Sequence, residues 1–160
     1  MIVLVRIDDR LLHGQIALSW KSELAYEAIV IADDAAAKDE FRKNALKIGV
    51  PDGVRLAVRS MEEAAKLLKH EKLEKMRVLV VVGSTASAAR LYESIEGKPS
   101  LNIGCVQAQE GKKMFSKAVY FEEKDILNLN RIENMGVEIF AQEVPSTAKY
   151  KYGELKEKFA

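Results

Sequence analysis

Arg6-Ile7-Asp8-Asp9-Arg10-Leu11-Leu12-His13-Gly14-Gln15 gathers two arginines, two aspartates and His13, one of only two histidines in the chain. Imidazole has an unperturbed pKa of about 6.5, so it offers a neutral ring nitrogen near neutral pH. Arg6 and Arg10 would supply counter-charge for an anion held at the ring. Gly14 would let the backbone approach closely, and the amides of a helix starting there would bind anionic oxygens. That set suits a covalent acceptor of a phosphoryl group. Asp8 or Asp9 would hold one ring nitrogen so that the other attacks, as a carboxylate does in a catalytic triad. The alternative is structural: a surface histidine in a loop tied down by Arg–Asp pairs.

The elements that must position this stretch alternate between strand and helix patterns. Ile2–Val5, Ala28–Ala32, Val54–Val58, Arg77–Val82, Leu101–Gly104, Lys117–Tyr120 and Val137–Phe140 read as strands. Arg77–Val82 is apolar after its first residue, the pattern of a strand covered on both faces. Helical patterns run over Gln15–Ala25, Ala35–Ile48, Met61–Lys75, Ser87–Ile95, Glu122–Gly136 and Gly153–Phe159. In the second of these, Phe41, Ala45, Leu46 and Ile48 are expected on or near the inner face. Ser60 with Glu63 three residues on has the capping-box pattern. The alternation predicts a single α/β domain over residues 1–160, a mainly parallel, doubly wound sheet of about six to seven strands with helices on both faces.

Such sheets bind ligands beyond the carboxyl ends of their strands. That rule selects Asp8–Gln15, Asp33-Asp34, Gly83-Ser84-Thr85 and Gly104–Gln107. Ser84 and Thr85 offer hydroxyls for a phosphate, or simply a helix cap. Asp33 and Asp34 lie where a phospho-receiver domain carries metal-binding acids; a helix cap is the favoured reading. His70 lies on an evenly charged face and reads as solvated. Cys105 reads as a small apolar filler.

Other classes are excluded by composition. The chain has 160 residues, 48% of them hydrophobic, with 25 Lys+Arg against 24 Asp+Glu, so its net charge is +1. Nucleic-acid binders usually show a lopsided basic balance, and none is expected as a partner. One cysteine permits no internal disulfide and fits a reducing compartment. No apolar run approaches the roughly 20 residues of a membrane span, and Ile2–Val5 is too short for a signal peptide. No metal-ligand spacing, Walker loop or GxGxxG is present, so neither metal nor cofactor is expected.

The stretch Arg6–Gln15 closely resembles the IIB component of the mannose/fructose/sorbose family of the bacterial sugar phosphotransferase system (PTS). The likeness continues through Ile29–Asp34, Ala37–Lys43, Pro51–Val54, Ser60–Ala64, Asn102–Gly104, Glu110–Lys113, Ser116–Val119 and Gln142–Pro145. It implies a cytoplasmic phosphocarrier, peripherally associated with membrane permease subunits. Such a protein is a protein-phosphohistidine–sugar phosphotransferase. It takes a phosphoryl group from the phosphohistidine of a IIA partner onto His13, at Nδ1, and passes it to a sugar entering through IIC and IID subunits. The resemblance implies that Arg6 and Arg10 neutralise phosphate charge, that Asp8 orders the loop and that Gln15 shapes the helix start; it also allows a homodimer. The chain departs from the family's usual pattern at Gly83-Ser84-Thr85, which lacks a lysine, and at Cys105-Val106-Gln107.

Two other classes make different predictions. A receiver-like domain would carry phosphate or metal on Asp33 or Asp34, and its acyl phosphate would be hydrolysed by strong base. Phosphohistidine is acid-labile and base-stable. A non-catalytic interaction module would take no label at all.

Overall fold

The computed structural model describes residues 1–159. β1 (Ile2–Asp8) leads into α1 (Gly14–Leu24), and β2 (Ala28–Ala32) into α2 (Asp34–Ala37) and α3 (Glu40–Ile48). β3 (Arg55–Arg59) leads into α4 (Met61–Leu68) and α5 (Glu71–Glu74), and β4 (Val78–Val82) into α6 (Thr85–Ser94). β5 (Leu101–Cys105) is followed by a hairpin of β6 (Lys113–Ser116) and β7 (Val119–Phe121). Then come α7 (Glu123–Asn134), β8 (Ile139–Ala141), β9 (Tyr150–Lys151) and α8 (Tyr152–Phe159). The main sheet has seven strands in the order β3-β2-β4-β1-β5-β8-β9, parallel except for β9.

Each central strand sends alternate side chains to opposite faces, which produces two cores. Val5, Ile7, Val30, Val80 and Val82 pack with Ala88 and Leu91 of α6 and Leu129 of α7. Leu4, Ile29, Ile31, Leu79 and Val81 pack on the other face with Leu11, Trp20 of α1 and Leu46 of α3. So α1, which follows β1, and α6, which follows β4, cover opposite faces although β1 and β4 are neighbours. The crevice at their carboxyl ends is the switch point where such sheets accept ligands. The loops after β1 and β4 meet there: a Cβ added to Gly83 would lie 3.4 Å from Leu11 Cδ2 and 3.4 Å from Asp33 Oδ1.

Where structure and expectation differ, local hydrogen bonds explain it. The helix expected over Ala35–Ile48 is broken, because Asp39 caps α3 by accepting from Arg42 N. In α3 Leu46 is buried, while Phe41 is 85% and Ile48 86% exposed and Ala45 is exposed too, so none of these three lies on the inner face. The helix expected over Met61–Lys75 is likewise interrupted, and exposed His70 caps α5 through Nδ1, which accepts from Lys72 N at 3.2 Å. β6 was not legible as a strand; it exists as the partner of β7. Asp33 caps α2, accepting from Ala36 N at 2.9 Å. Asp34 accepts from Met61 N and pairs with Arg90, and the Met61 N–H holds its carboxyl below the usual range. Removing the cap in Asp33→Ala is expected to cost about 1 kcal/mol, read from the urea midpoint. Phosphoryl acceptance by that variant is expected to stay intact, and its loss would favour the receiver-like alternative.

Candidate active site

β1 ends at Asp8 and α1 begins at Gly14, so five residues must turn the chain. The Asp8 carbonyl accepts from Leu11 N at 2.9 Å and the Arg10 carbonyl from Leu12 N at 2.9 Å. This tight path puts Leu11 at φ 65°, the left-handed region that L side chains avoid. Such a conformation costs on the order of 1–3 kcal/mol. Burying the Leu11 side chain, which is 2% exposed, offsets it by roughly 1.5–3 kcal/mol. The strained loop is thus pinned by an apolar anchor.

His13 follows as the N-cap residue of α1, in extended backbone, with no side-chain capping bond. Its carbonyl accepts the first intrahelical bond, from Ala17 N. The preceding amides of the first turn therefore have no intrahelical acceptor, and no acidic side chain in that turn offsets the helix's positive end. Gly14 and Gln15 are both exposed. The His13 side chain is 28% exposed, and its Nε2 lies 3.2 Å from Asp8 Oδ2. Asp8, not Asp9, is on the ring.

Asp8 is fully buried and works in three directions. Oδ1 accepts from Arg10 N at 3.0 Å, while Oδ2 accepts from Arg6 Nη2 at 3.1 Å and faces His13. Asp9 turns away, and its Oδ2 accepts from Gln107 N at 2.7 Å. Asp8, Asp9 and Cys105 bring ligand atoms within 4.8 Å of one another. They fit a metal ion poorly: the Asp8 oxygens are committed, burial pushes the Cys105 thiol up, and Arg10 Nη2 lies 3.6 Å from its sulfur.

Arg6 departs from expectation. Its side chain is 2% exposed and cannot reach a phosphate at the surface. Along β1, Leu4, Arg6 and Asp8 point to the α1 face, and there the guanidinium is enclosed. Nη1 donates to Asn102 Oδ1 at 2.8 Å and to the Glu143 carbonyl at 2.9 Å, and the Trp20 ring centroid lies 5.9 Å away. Desolvation lowers its pKa, opposed chiefly by Asp8. Arg10, by contrast, is exposed at the surface.

Room for Arg6 comes from Gly104. The β1–β5 register runs Ile7↔Ile103 and then Asp8↔Cys105, so Gly104 is an extra residue, a bulge. A Cβ there would lie within 2.5 Å of Arg6 Nη2. Gly104→Ala must displace the guanidinium and is expected to cost about 1–3 kcal/mol, seen as a lower urea midpoint at unchanged slope. A midpoint equal to the parent's would show that Arg6 has slack.

Ser84 and Thr85 separate. Exposed Ser84 caps α6, its Oγ accepting from Ser87 N at 3.1 Å. Thr85, expected at the phosphate, is instead buried: its hydroxyl donates to Asp125 at 2.5 Å and accepts from Asn128. Asn102, Trp20 and the 142–143 carbonyls were not among the expected site residues; Gly104 lay in a segment expected at this edge, but its place against Arg6 was not expected. A polar Asn102 inside the wholly buried strand Leu101–Cys105 was the readable signal.

The profile of the family described as PTS system sorbose subfamily IIB component matches residues 2–159. The chain belongs to that family. This IIB component is 31% identical to a probable phosphotransferase enzyme IIB component of Streptococcus pyogenes, covering 97% of this chain and 99% of that one. It is also 31% identical to the mannose-specific EIIAB component of Escherichia coli, of which it spans 48%. Its fold superposes on the IIBSor domain of the Klebsiella pneumoniae sorbose permease with a TM-score of 0.93. That pair shares 27% identity over 100% of this chain and 98% of the other. The seven-stranded, mostly parallel α/β architecture is that of its family. Among the described residues no helix is long and apolar enough to cross a membrane.

Proposed function

We propose that this IIB component accepts a phosphoryl group on His13 Nδ1 from the phosphohistidine of a IIA partner. It then gives that group to a sugar handled by membrane IIC and IID subunits, working at the cytoplasmic face of the membrane. The observation that carries the reading is the Asp8 carboxylate against His13 Nε2. With Nε2–H donating to Asp8, the neutral ring keeps its lone pair on Nδ1. That lone pair attacks phosphorus, a P–N bond forms, and the donor's P–N bond breaks with its electron pair returning to the donor ring. The amides of Gly14 and Gln15 at the start of α1, with Arg10, meet the anionic oxygens. Arg6 stays in the interior, supporting Asp8, and Ser84 remains a helix cap. The EIIAB name of the E. coli relative supports a IIA partner, because its chain extends well beyond the part this one matches.

Little covalent work is asked of the protein; positioning and charge do most of it. The test is incubation with a phosphorylated IIA protein followed by mapping of the labelled residue. Label on His13, lost in acid and kept in base, is expected. Base-labile label on Asp33 or Asp34, or no label, would overturn the reading.

A further inference from the structure

We infer that Asn102 is a positioning residue for transfer at His13, acting through Arg6 and Asp8; the inference rests on the function proposed above. Asn102 is 0% exposed in the middle of β5 and faces Arg6 across the β1–β5 register. Its amide has two tasks. Oδ1 accepts from Arg6 Nη1 at 2.8 Å, and Nδ2 donates to the Gln142 carbonyl at 3.0 Å. Arg6 Nη2 then meets the one Asp8 oxygen that also faces His13 Nε2.

The Asn102 end is itself anchored. Residues 142–147 form a closed turn in which Gln142 Nε2 donates to the Pro145 and Thr147 carbonyls. The neighbouring Glu143 carbonyl accepts from Arg6 and also from Trp20 Nε1, in the helix that His13 caps. A chain of hydrogen bonds thus runs from the segment after β8, through Asn102 and Arg6, to the carboxylate against the ring. Arg6 Nε has no partner among the described residues, so the guanidinium is steered from its two terminal nitrogens alone. Among the described residues, Asn102 is the only side chain besides Asp8 that accepts a hydrogen bond from either of them.

The consequence is electrostatic as well as geometric. The charged groups of β1 and the loop before His13 are Arg6, Asp8, Asp9 and Arg10, and of these Asp8 meets the ring. Arg6, where Asn102 holds it, compensates the Asp8 charge beside the ring. A guanidinium released from Asn102 leaves that charge less compensated, and Asp8 then favours the imidazolium, which has no lone pair on Nδ1.

The test uses Asn102→Leu, with Asn102→Ser as a smaller substitution that also removes the amide. Each is expected to lower the single-turnover rate from a saturating phosphorylated IIA donor by about tenfold, the scale on which orienting partners act. KM for the donor should be unchanged, and the acid limb of the rate should move to higher pH. The ring 15N shifts of unphosphorylated His13 should move away from the Nε2–H tautomer. A fall in thermal stability with rate, pH profile and ring shifts unchanged would overturn the inference and assign Asn102 to folding alone. Absence of label on His13 in the parent protein would overturn instead the function on which the inference rests, while the ring shifts still report on Asn102. If the leucine variant does not fold, the serine variant decides the matter by the same readouts.

Discussion

His13→Ala takes up no phosphoryl group from a phosphorylated IIA protein, and the parent's acid-labile label disappears. This is the largest effect expected, because the variant lacks the only ring nitrogen in the loop and no neighbour replaces it. The other histidine, His70, lies between α4 and α5, where it caps α5 by accepting from Lys72 N. Cys105 is buried with its thiol held protonated, the poor form for attack. The fold should be unaffected: His13 makes no side-chain cap to α1 and is partly exposed, so the urea midpoint should stay within about 0.5 kcal/mol of the parent. Label that persists on the alanine variant would move the acceptor elsewhere and sink the proposed function. Protein that does not fold would mean His13 carries more structure than its contacts indicate.

Asp8→Asn is the second large effect, and it has two separable parts. An amide has one acceptor oxygen where the carboxylate has two, and Asp8 faces three donors. If the amide nitrogen turns toward His13, Nε2 must accept, the ring proton moves to Nδ1, and the attacking nitrogen loses its lone pair. If it turns toward Arg10 N, the loop that presents His13 opens. Either way transfer is expected to fall by about 10²–10⁴-fold, the range seen when an orienting carboxylate is lost from a catalytic histidine. The second part is stability. Arg6 loses its paired carboxylate while 2% exposed, and breaking a buried pair costs roughly 3–5 kcal/mol. The retained carbonyl and Asn102 acceptors argue for the lower end. Rates from single-turnover labelling and midpoints from urea melts separate the parts. Transfer within about threefold of the parent would remove Asp8 from the mechanism.

The two effects differ in kind, and the structure says why. His13 stands at the rim, 28% exposed and without a capping bond to α1. Asp8 stands one layer down, fully buried, and joins the ring to the interior. Beneath it Arg6, Asn102 and Gly104 form a buried floor. The site is therefore graded, from exposed chemistry to buried support.

Much of this was legible in residue order. Strand and helix alternation specified the doubly wound sheet because a covered parallel strand must be apolar on both faces, as Val78–Val82 is. His13 beside a glycine and two arginines marked a candidate chemistry, and the rule that ligands gather at the carboxyl edge of such a sheet marked where to look for it. The caps at Asp33 and Ser60 could be read because a capping bond spans three residues.

What residue order did not carry was decided by contacts across the sheet. Two aspartates stand side by side in the sequence, but strand alternation sends Asp8 to the ring and Asp9 to Gln107. Two arginines four apart looked alike. Arg6 is inside the strand and lies over Gly104, while Arg10 is in the loop and exposed. Thr85 sits next to Ser84 yet points the other way, into Asp125 of α7. Phe41 and Ile48 are apolar and helical, yet both are exposed. Local spacing set which residues could act at His13. Only the register of β1 against β5, and the burial it imposes, decided that one arginine meets the solvent and the other holds the carboxylate in place.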